Sequence, residues 1–379
     1  MGVCSSTEPV GKRREESSLN DNNLQYRETF NTVIAGTLDS AIRLAAADPA
    51  LVLSGISILR NQKKASSIRQ QYERDGILVP PVMMISVTSR CNLACKGCYQ
   101  RAQHRNRAPE MNEEALRSVV SQAAELGVSV IVFAGGEPLL RKDEILSLAK
   151  SHPAILFAAF TNGQLIDDSV ADEIAGLKNI VPMLSFEGFR AETDLRRGSG
   201  VYDRLLAAGK LLNDHHSFFG ISVTVTFRNI DRVLSNEFVS AMAGTGARAF
   251  VFVEYVPIEP GTDDLVLAPE QRAALSFRLQ EFNRKYPALF IGFPGDEEMY
   301  GGCLAAGRGF VHVSPSGDLE PCPAAPFSDA NLTKIPLIEA FRSDFLEKIR
   351  SNHNALTETN GGCALWTNRD WVQGLLAKQ

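Results

Sequence analysis

Short apolar runs alternate with amphipathic segments from Pro80 onward. The apolar runs predict six strands, which are VMMISVT, SVIVFAG, AILFAAFTNG, IVPMLSFEG, GISVTVTF and ARAFVFVEYV. The segments between them, such as MNEEALRSVVSQAAELG and VYDRLLAAGKLLND, carry apolar residues at helical spacing. Continuous apolar strands separated by helices are typical of a parallel sheet buried on both faces. The pattern predicts an α/β fold, a partial (β/α)6 barrel of the TIM type with functional residues at the carboxyl ends of its strands.

The segments on either side of this core have a different character. Residues 1–35 are polar with little periodicity and predict a mobile tail. Residues 36–79 predict an N-terminal helical segment, in which Asp48 is the N-cap and Pro49 the first residue of a second helix. The sequence thus predicts four regions: 1–35, 36–79, a barrel core at 80–295 and a small C-terminal region at 296–379.

Composition and charge narrow the classes of partner. The chain has 379 residues, of which 44% are hydrophobic and 22% charged, and its net charge of -5 favours no binding of nucleic acid. No apolar run reaches the roughly 18 residues that span a bilayer, and no signal peptide is visible, so a cytoplasmic protein is expected. Two features leave peripheral membrane contact open: the helix at 51–64, apolar and then basic, and the start MGVCSS, which matches an N-myristoylation pattern.

Three of the seven cysteines follow the first predicted strand in CNLACKGCY. They are Cys91, Cys95 and Cys98. Iron–sulfur clusters are held by thiolates, usually four, so three would leave one iron without a protein ligand. The alternative is a zinc site with His104 as the fourth ligand.

The stretch AGGEPLL ends the second predicted strand. Gly135 and Gly136 permit close approach of the backbone to a ligand, Glu137 offers a carboxylate to a cationic amino group, and Pro138 fixes the turn. The ends of the third and fourth strands carry further polar candidates, which are Asn162, Ser185 and Glu187.

The C-terminal region contains three more cysteines, Cys303, Cys322 and Cys363. Between the first two, FVHVSPSGDLEPC predicts a hairpin with its turn at 315–318, and a hairpin can bring distant thiols together. Three unrelated buried cysteines are the alternative.

The spacing Cys-x3-Cys-x2-Cys after the first strand resembles the signature of the radical S-adenosylmethionine (SAM) enzymes. The resemblance implies a [4Fe-4S] cluster on these cysteines, whose open iron is chelated by SAM. It implies reductive cleavage of SAM to a 5'-deoxyadenosyl radical that abstracts hydrogen from a substrate, with a reductant such as flavodoxin or ferredoxin. GGEP is similar to the family's motif for the SAM amino group. Gly97 stands where the family commonly has an aromatic residue near the adenine, and Tyr99 is the candidate to replace it.

The rest of the chain resembles the subset of that family with SPASM or twitch domains. LSFEGFRAETDLRRGSG is similar to its strand-four segment, with Arg197 and Gly198 as the Arg-Gly pair, and Cys303 to Cys322 resembles the opening half of the SPASM pattern. The resemblance implies one auxiliary iron–sulfur cluster on the three C-terminal cysteines, with His312, an acidic group or the substrate as the fourth ligand.

The implied substrate is a peptide or a small molecule. Two alternatives stay open: modification of a lipid at the membrane surface, and a non-catalytic iron–sulfur protein that transfers electrons.

Overall fold

The computed structural model describes residues 49–103, 109–293, 302–353, 356 and 363–376. The predicted tail at 1–35, the first predicted helix, Asp48 and His104 lie outside the described residues.

Helices and strands alternate through the core in the predicted order. The elements are α1 (Pro49–Arg74), β1 (Val82–Thr88), α2 (Tyr99–Ala102), α3 (Glu113–Leu126), β2 (Val130–Gly135), α4 (Lys142–Ser151), β3 (Leu156–Thr161), α5 (Asp168–Gly176), β4 (Ile180–Phe186), α6 (Arg190–Arg197), α7 (Val201–Asp214), β5 (Gly220–Val225), α8 (Ile230–Val233), α9 (Asn236–Gly244), β6 (Ala249–Glu254), α10 (Pro269–Lys285), β7 (Leu289–Phe293), β8 (Phe310–Val313), β9 (Leu319–Glu320), α11 (Leu337–Ala340), α12 (Asp344–Ser351), α13 (Ala364–Thr367) and α14 (Arg369–Gly374). Short 3-10 helices lie at Pro138–Arg141 and Asp263–Leu265.

The strands form one sheet in the order β7-β6-β5-β4-β3-β2-β1-β8-β9. Strands β1 to β7 are parallel, which confirms the partial barrel, and β7 is a seventh strand that the sequence did not reveal. The predicted C-terminal hairpin is β8 with antiparallel β9, and β8 pairs in parallel with β1 in the register Val82↔Phe310. The C-terminal hairpin therefore extends the barrel sheet itself, while the division into regions at 295 stays a prediction.

Alternate residues along the strands face the helices and the barrel interior. The Cβ of a residue at Gly209 on α7 would lie 3.5 Å from Leu184 Cδ1, so Leu184 faces outward. Glu254 also faces outward, because its carboxylate accepts a hydrogen bond from Arg272 of α10 at 2.9 Å. The residues that alternate with outward-facing ones along each strand point inward. One of them is Ile291 of β7, which pairs with Val251 of β6 and is 39% exposed. The interior of the barrel, the lumen, is lined by apolar residues such as Ile291 together with polar ones such as Ser185 and Ser222, and Glu254 is not among them.

Helix α1 packs on the domain through its second half. Arg69 donates to the carbonyl of Gly127, the C-cap of α3, and Gln62 Nε2 donates to Ser129 O at 3.3 Å. The basic residues on its other side, Arg60, Lys63 and Lys64, are exposed. No helix among the described residues is both long and apolar enough to cross a bilayer. Membrane contact through these exposed residues stays a prediction.

Candidate functional site

The three cysteines after β1 lie on one loop at the carboxyl end of the sheet. All are free thiols; Cys91 is exposed, and Cys95 and Cys98 are half-buried. Burial raises the pKa of Cys91 and Cys95, and the neighbouring thiols act in the same direction. The thiols of Cys91 and Cys95 therefore resist ionisation in the metal-free protein, and metal binding to them must release protons.

A cluster and a single metal ion place different demands on three thiols. Within the described ranges, no group of three or more His, Cys, Asp or Glu side chains is arranged to hold a single metal ion. A zinc ion draws its thiolates to about 2.3 Å. A four-iron cluster needs a wider ring of thiolates, because each one binds a different iron. The three cysteines stay candidates for a cluster, and the zinc alternative through His104 lies outside the described residues.

The two glycines of AGGEPLL let the end of β2 dock on the start of the cysteine loop. Gly136 N donates to Thr88 O at 2.7 Å, and Glu137 N donates to Arg90 O at 2.9 Å. A Cβ at Gly136 would lie 1.9 Å from Arg90 O, and one at Gly135, where φ is +113°, would lie 2.4 Å from Thr88 O. Only glycine permits this backbone approach.

Glu137 joins the ends of β2 and β3. Its Oε1 accepts from Leu139 N at 3.0 Å and from Thr161 Oγ1 at 2.7 Å, and its Oε2 accepts from Asn162 N at 2.8 Å. The side chain is buried, and burial raises its pKa. Pro138 begins the 3-10 helix that Glu137 caps. In the metal-free protein the Glu137 side chain links the two strand ends by hydrogen bonds. Its contact with an amino group of a ligand stays a prediction.

Asn162 connects β3 to the cysteine loop. Its Nδ2 lies 2.7 Å from Asn92 Oδ1 and 3.8 Å from Cys91 Sγ, and its Oδ1 accepts from Gln164 N at 3.0 Å. The sequence placed Asn162 only at a strand end, and the structure brings it into contact with the first cysteine.

Glu187 provides an acceptor that the protein leaves open. It is buried, and its Oε1 accepts from Arg196 and from Arg197, whose Nε lies at 2.8 Å. Its Oε2 is buried without a hydrogen-bond partner in the part of the chain that the structure describes. Buried carboxylate oxygens are rarely left unsatisfied, so this atom indicates a missing donor such as a ligand hydroxyl or amino group.

The two arginines that hold Glu187 also contact the cysteine loop. Arg196 Nε donates to Lys96 O at 3.1 Å, and Lys96 N donates to Arg196 O at 2.9 Å. Burial raises the pKa of Cys95, and the charges of Arg197 and Arg196 oppose that rise. The end of α6 therefore fixes the loop and places positive charge beside the Cys95 thiol.

Gly97 is packed against an aromatic ring that the sequence did not identify. Its φ is +68°, and a Cβ there would lie 2.6 Å from Tyr255 Oη. Gly97 N donates to Glu259 Oε2 at 2.7 Å. Tyr99, the predicted replacement, begins α2 and packs partly buried against the core. Tyr255 comes after β6, and only the folded barrel brings it to this loop.

Ser185, which was predicted, and Glu110, which was not, are two further polar residues near the site. Ser185 Oγ lies 3.0 Å from Ser222 Oγ of the neighbouring strand, facing the lumen. Glu110, which sequence reasoning missed, accepts from Ser89 N at 2.8 Å and from Thr88 Oγ1 at 2.9 Å at the base of the cysteine loop. Burial works against ionisation of Glu110, yet the hydrogen bonds from Ser89 and Thr88 lower its pKa. No local motif marks Glu110, because it stands alone in the sequence 21 residues after Ser89.

The C-terminal cysteines form a second set of buried free thiols. The hydrogen bond from Cys322 to Cys363 raises the pKa of Cys322 and lowers that of Cys363, and Cys303 lies near enough to raise the pKa of Cys322 further. His312 does not belong to this set, because its ring is engaged elsewhere: Nε2 lies 2.8 Å from Ser86 Oγ and Nδ1 lies 2.6 Å from Glu320 Oε2. The expectation of His312 as a fourth ligand is therefore wrong.

The chain is similar to several known proteins. Residues 85–234 match the family model of the radical SAM superfamily. The AdoMet-dependent heme synthase of Methanosarcina barkeri is 25% identical over 79% of this chain and 92% of its own. The PqqA peptide cyclase of Gluconobacter oxydans is 26% identical over 75% and 86%. Among solved structures, Streptococcus suis SuiB bound to S-adenosylmethionine superposes with a TM-score of 0.61 over 78% of this chain and 74% of its own at 19% identity, and its complex with precursor peptide SuiA gives 0.59 over 80% and 74% at 19%.

Proposed function

Since this chain is a radical SAM enzyme with a [4Fe-4S] cluster and SAM as cofactors, we propose that Cys91, Cys95 and Cys98 hold the cluster and that the surrounding residues bind SAM. When bound, the cofactors supply the radical chemistry: one electron cleaves SAM to methionine and a 5'-deoxyadenosyl radical, which takes hydrogen from a substrate. The observation that carries the assignment of the SAM site is the open Oε2 of buried Glu187 beside the cysteine loop.

The protein's own residues provide the binding surface for SAM. Glu187 Oε2 accepts a hydrogen bond from a ribose hydroxyl, which satisfies an acceptor that is buried and open without a ligand. The backbone of the AGGEPLL turn approaches closely enough for contact because glycine is the residue there. The other proposed members of this surface are Tyr99, Gly135, Gly136, Glu137, Pro138, Asn162 and Ser185.

We propose that Cys303, Cys322 and Cys363 hold one auxiliary iron–sulfur cluster. Three buried thiols with no disulfide between them, two of them hydrogen-bonded to each other, are a donor set that suits iron. Such a cluster accepts the electron that a substrate radical gives up, or binds the substrate directly. Its fourth ligand is not His312.

The substrate is proposed to be a peptide or a small organic molecule that enters the lumen. The names of the relatives include a peptide cyclase and a heme synthase, so both classes have a precedent in proteins similar to this one. Apolar side chains such as Ile291 line the lumen, and their burial by substrate excludes water from the reacting groups.

Binding of SAM to the reconstituted protein tests the proposed site. We expect Glu187→Gln to weaken SAM binding by roughly tenfold or more, because a hydrogen bond to a charged group contributes about 1.5–3 kcal/mol. Glu113→Gln, an exposed change on α3, is the matched control, and iron content is measured first for every variant. Equal SAM affinity of wild type and Glu187→Gln at equal iron content would remove Glu187 from the site.

A further inference from the structure

Gln100 buries a side-chain amide that the protein leaves without a partner. The residue is 2% exposed, and neither Oε1 nor Nε2 has a hydrogen-bond partner among the described residues. An amide carries two donor hydrogens and an acceptor oxygen, and native proteins seldom bury both atoms unsatisfied. The amide therefore indicates a group that occupies this place in the loaded protein.

The position of Gln100 on α2 shows which site it faces. Residues three apart share one face of a helix, so Gln100 and Gln103 lie on the same face. Gln103 Nε2 donates to Pro323 O at 2.8 Å, and Pro323 directly follows Cys322. Cys98 is the N-cap of α2 and its backbone is extended, so it stands outside the helix. The amide is thus on the same side of α2 as the side chain that contacts the residue after Cys322.

We propose that the Gln100 amide donates a hydrogen bond to a sulfur of the auxiliary cluster at Cys303, Cys322 and Cys363. This inference rests on the auxiliary cluster of the proposed function. Hydrogen bonds to cluster sulfurs favour the reduced, more negative state and so raise the reduction potential. Gln100 lies on the helix that follows the cysteines of the first cluster. It is then a positioning residue that raises the reduction potential of the auxiliary cluster.

The test combines the metal-free protein with the loaded one. In the apoprotein, Gln100→Leu removes an unsatisfied buried amide, so we expect its melting temperature to rise above that of wild type. Gln103→Leu is the matched control on the same helix face, and it removes an amide that has a partner, so we expect its melting temperature to fall. A fall for Gln100→Leu as well would mean that its amide has a partner within the protein, and would overturn the proposal.

Redox titration then measures the auxiliary cluster by itself in a variant with Cys91, Cys95 and Cys98 changed to alanine. There we expect Gln100→Leu to shift the reduction equilibrium about tenfold toward the oxidised state, or about 59 mV to lower potential. In the reciprocal variant with Cys303, Cys322 and Cys363 changed to alanine, the first cluster keeps its potential. An unchanged auxiliary potential, or a shift confined to the first cluster, overturns the role of Gln100. Absence of iron from the first variant overturns the auxiliary cluster itself, and with it this proposal.

Discussion

Gly136→Ala is expected to displace the cysteine loop from its support. The added Cβ would lie 1.9 Å from Arg90 O and 2.5 Å from Arg90 C, and both atoms are backbone. The loop must move by roughly 1.5–2 Å to restore a separation of about 3.5 Å. That movement breaks the hydrogen bonds from Gly136 N to Thr88 O and from Glu137 N to Arg90 O. Overpacking costs about 1–3 kcal/mol and each of the two hydrogen bonds about 1 kcal/mol, so the expected loss is about 3–5 kcal/mol.

Urea unfolding of the apoprotein and iron content after anaerobic reconstitution measure this effect. Gly176→Ala is the matched control, because no atom lies within 4 Å of its Cβ at the end of α5. We expect the control to keep its iron and to be at least as stable as wild type, because alanine favours the helix, and Gly136→Ala to unfold at lower urea and to lose the iron of the first site. A Gly136→Ala protein with wild-type stability and full iron would refute the claim that the glycine is needed for this contact.

Three further changes test the braces around the site. Glu137→Gln sets an amide N–H₂ against donors such as Asn162 N, and urea unfolding should show a loss of about 1–3 kcal/mol. Burial raises the pKa of Glu137, so its carboxyl binds protons more tightly in the folded apoprotein than in the unfolded chain. Ionisation of Glu137 therefore lowers the stability of the apoprotein as pH rises above 4.5, the ordinary pKa of a glutamate. The melting temperature of Glu137→Gln should lack this pH-dependent loss. Glu110 has a lowered pKa, so the stability that it adds is present above pH 4.5 and is lost on acidification. The melting temperature of Glu110→Gln should therefore fall less in acid than that of wild type. His312→Phe should cost about 1–3 kcal/mol in urea through its lost hydrogen bonds, but iron at the C-terminal thiols should stay unchanged, because His312 is not a ligand.

Much of the fold could be predicted because the strands are apolar throughout and strongly periodic helices separate them. The segment between β5 and β6 forms two helices, α8 and α9, because Ser235 caps the second helix by accepting from Phe238 N at 3.1 Å. Strand β7 escaped notice because five residues carry too little pattern. The pairing of β8 with β1 joins strands more than 200 residues apart, and no local pattern encodes such a contact.

The candidate site divides in the same way. The cysteine loop and the glycines of AGGEPLL are local motifs, so the sequence identified them. Arg196, Tyr255 and Glu110 reach the loop only through the folded barrel, and each is an ordinary residue in its own segment. His312 was misassigned for the same reason: its position near the cysteines is sequential, and its partner Ser86 is 226 residues away.

The most direct test of the central claim is formation of 5'-deoxyadenosine. Wild type and the variant with Cys91, Cys95 and Cys98 changed to alanine are reconstituted anaerobically, and SAM and dithionite are added. We expect wild type to release 5'-deoxyadenosine and methionine, and the variant to release neither while it keeps the iron of the C-terminal thiols. Equal formation of 5'-deoxyadenosine by the two proteins would contradict the assignment of these three cysteines as the site of SAM cleavage.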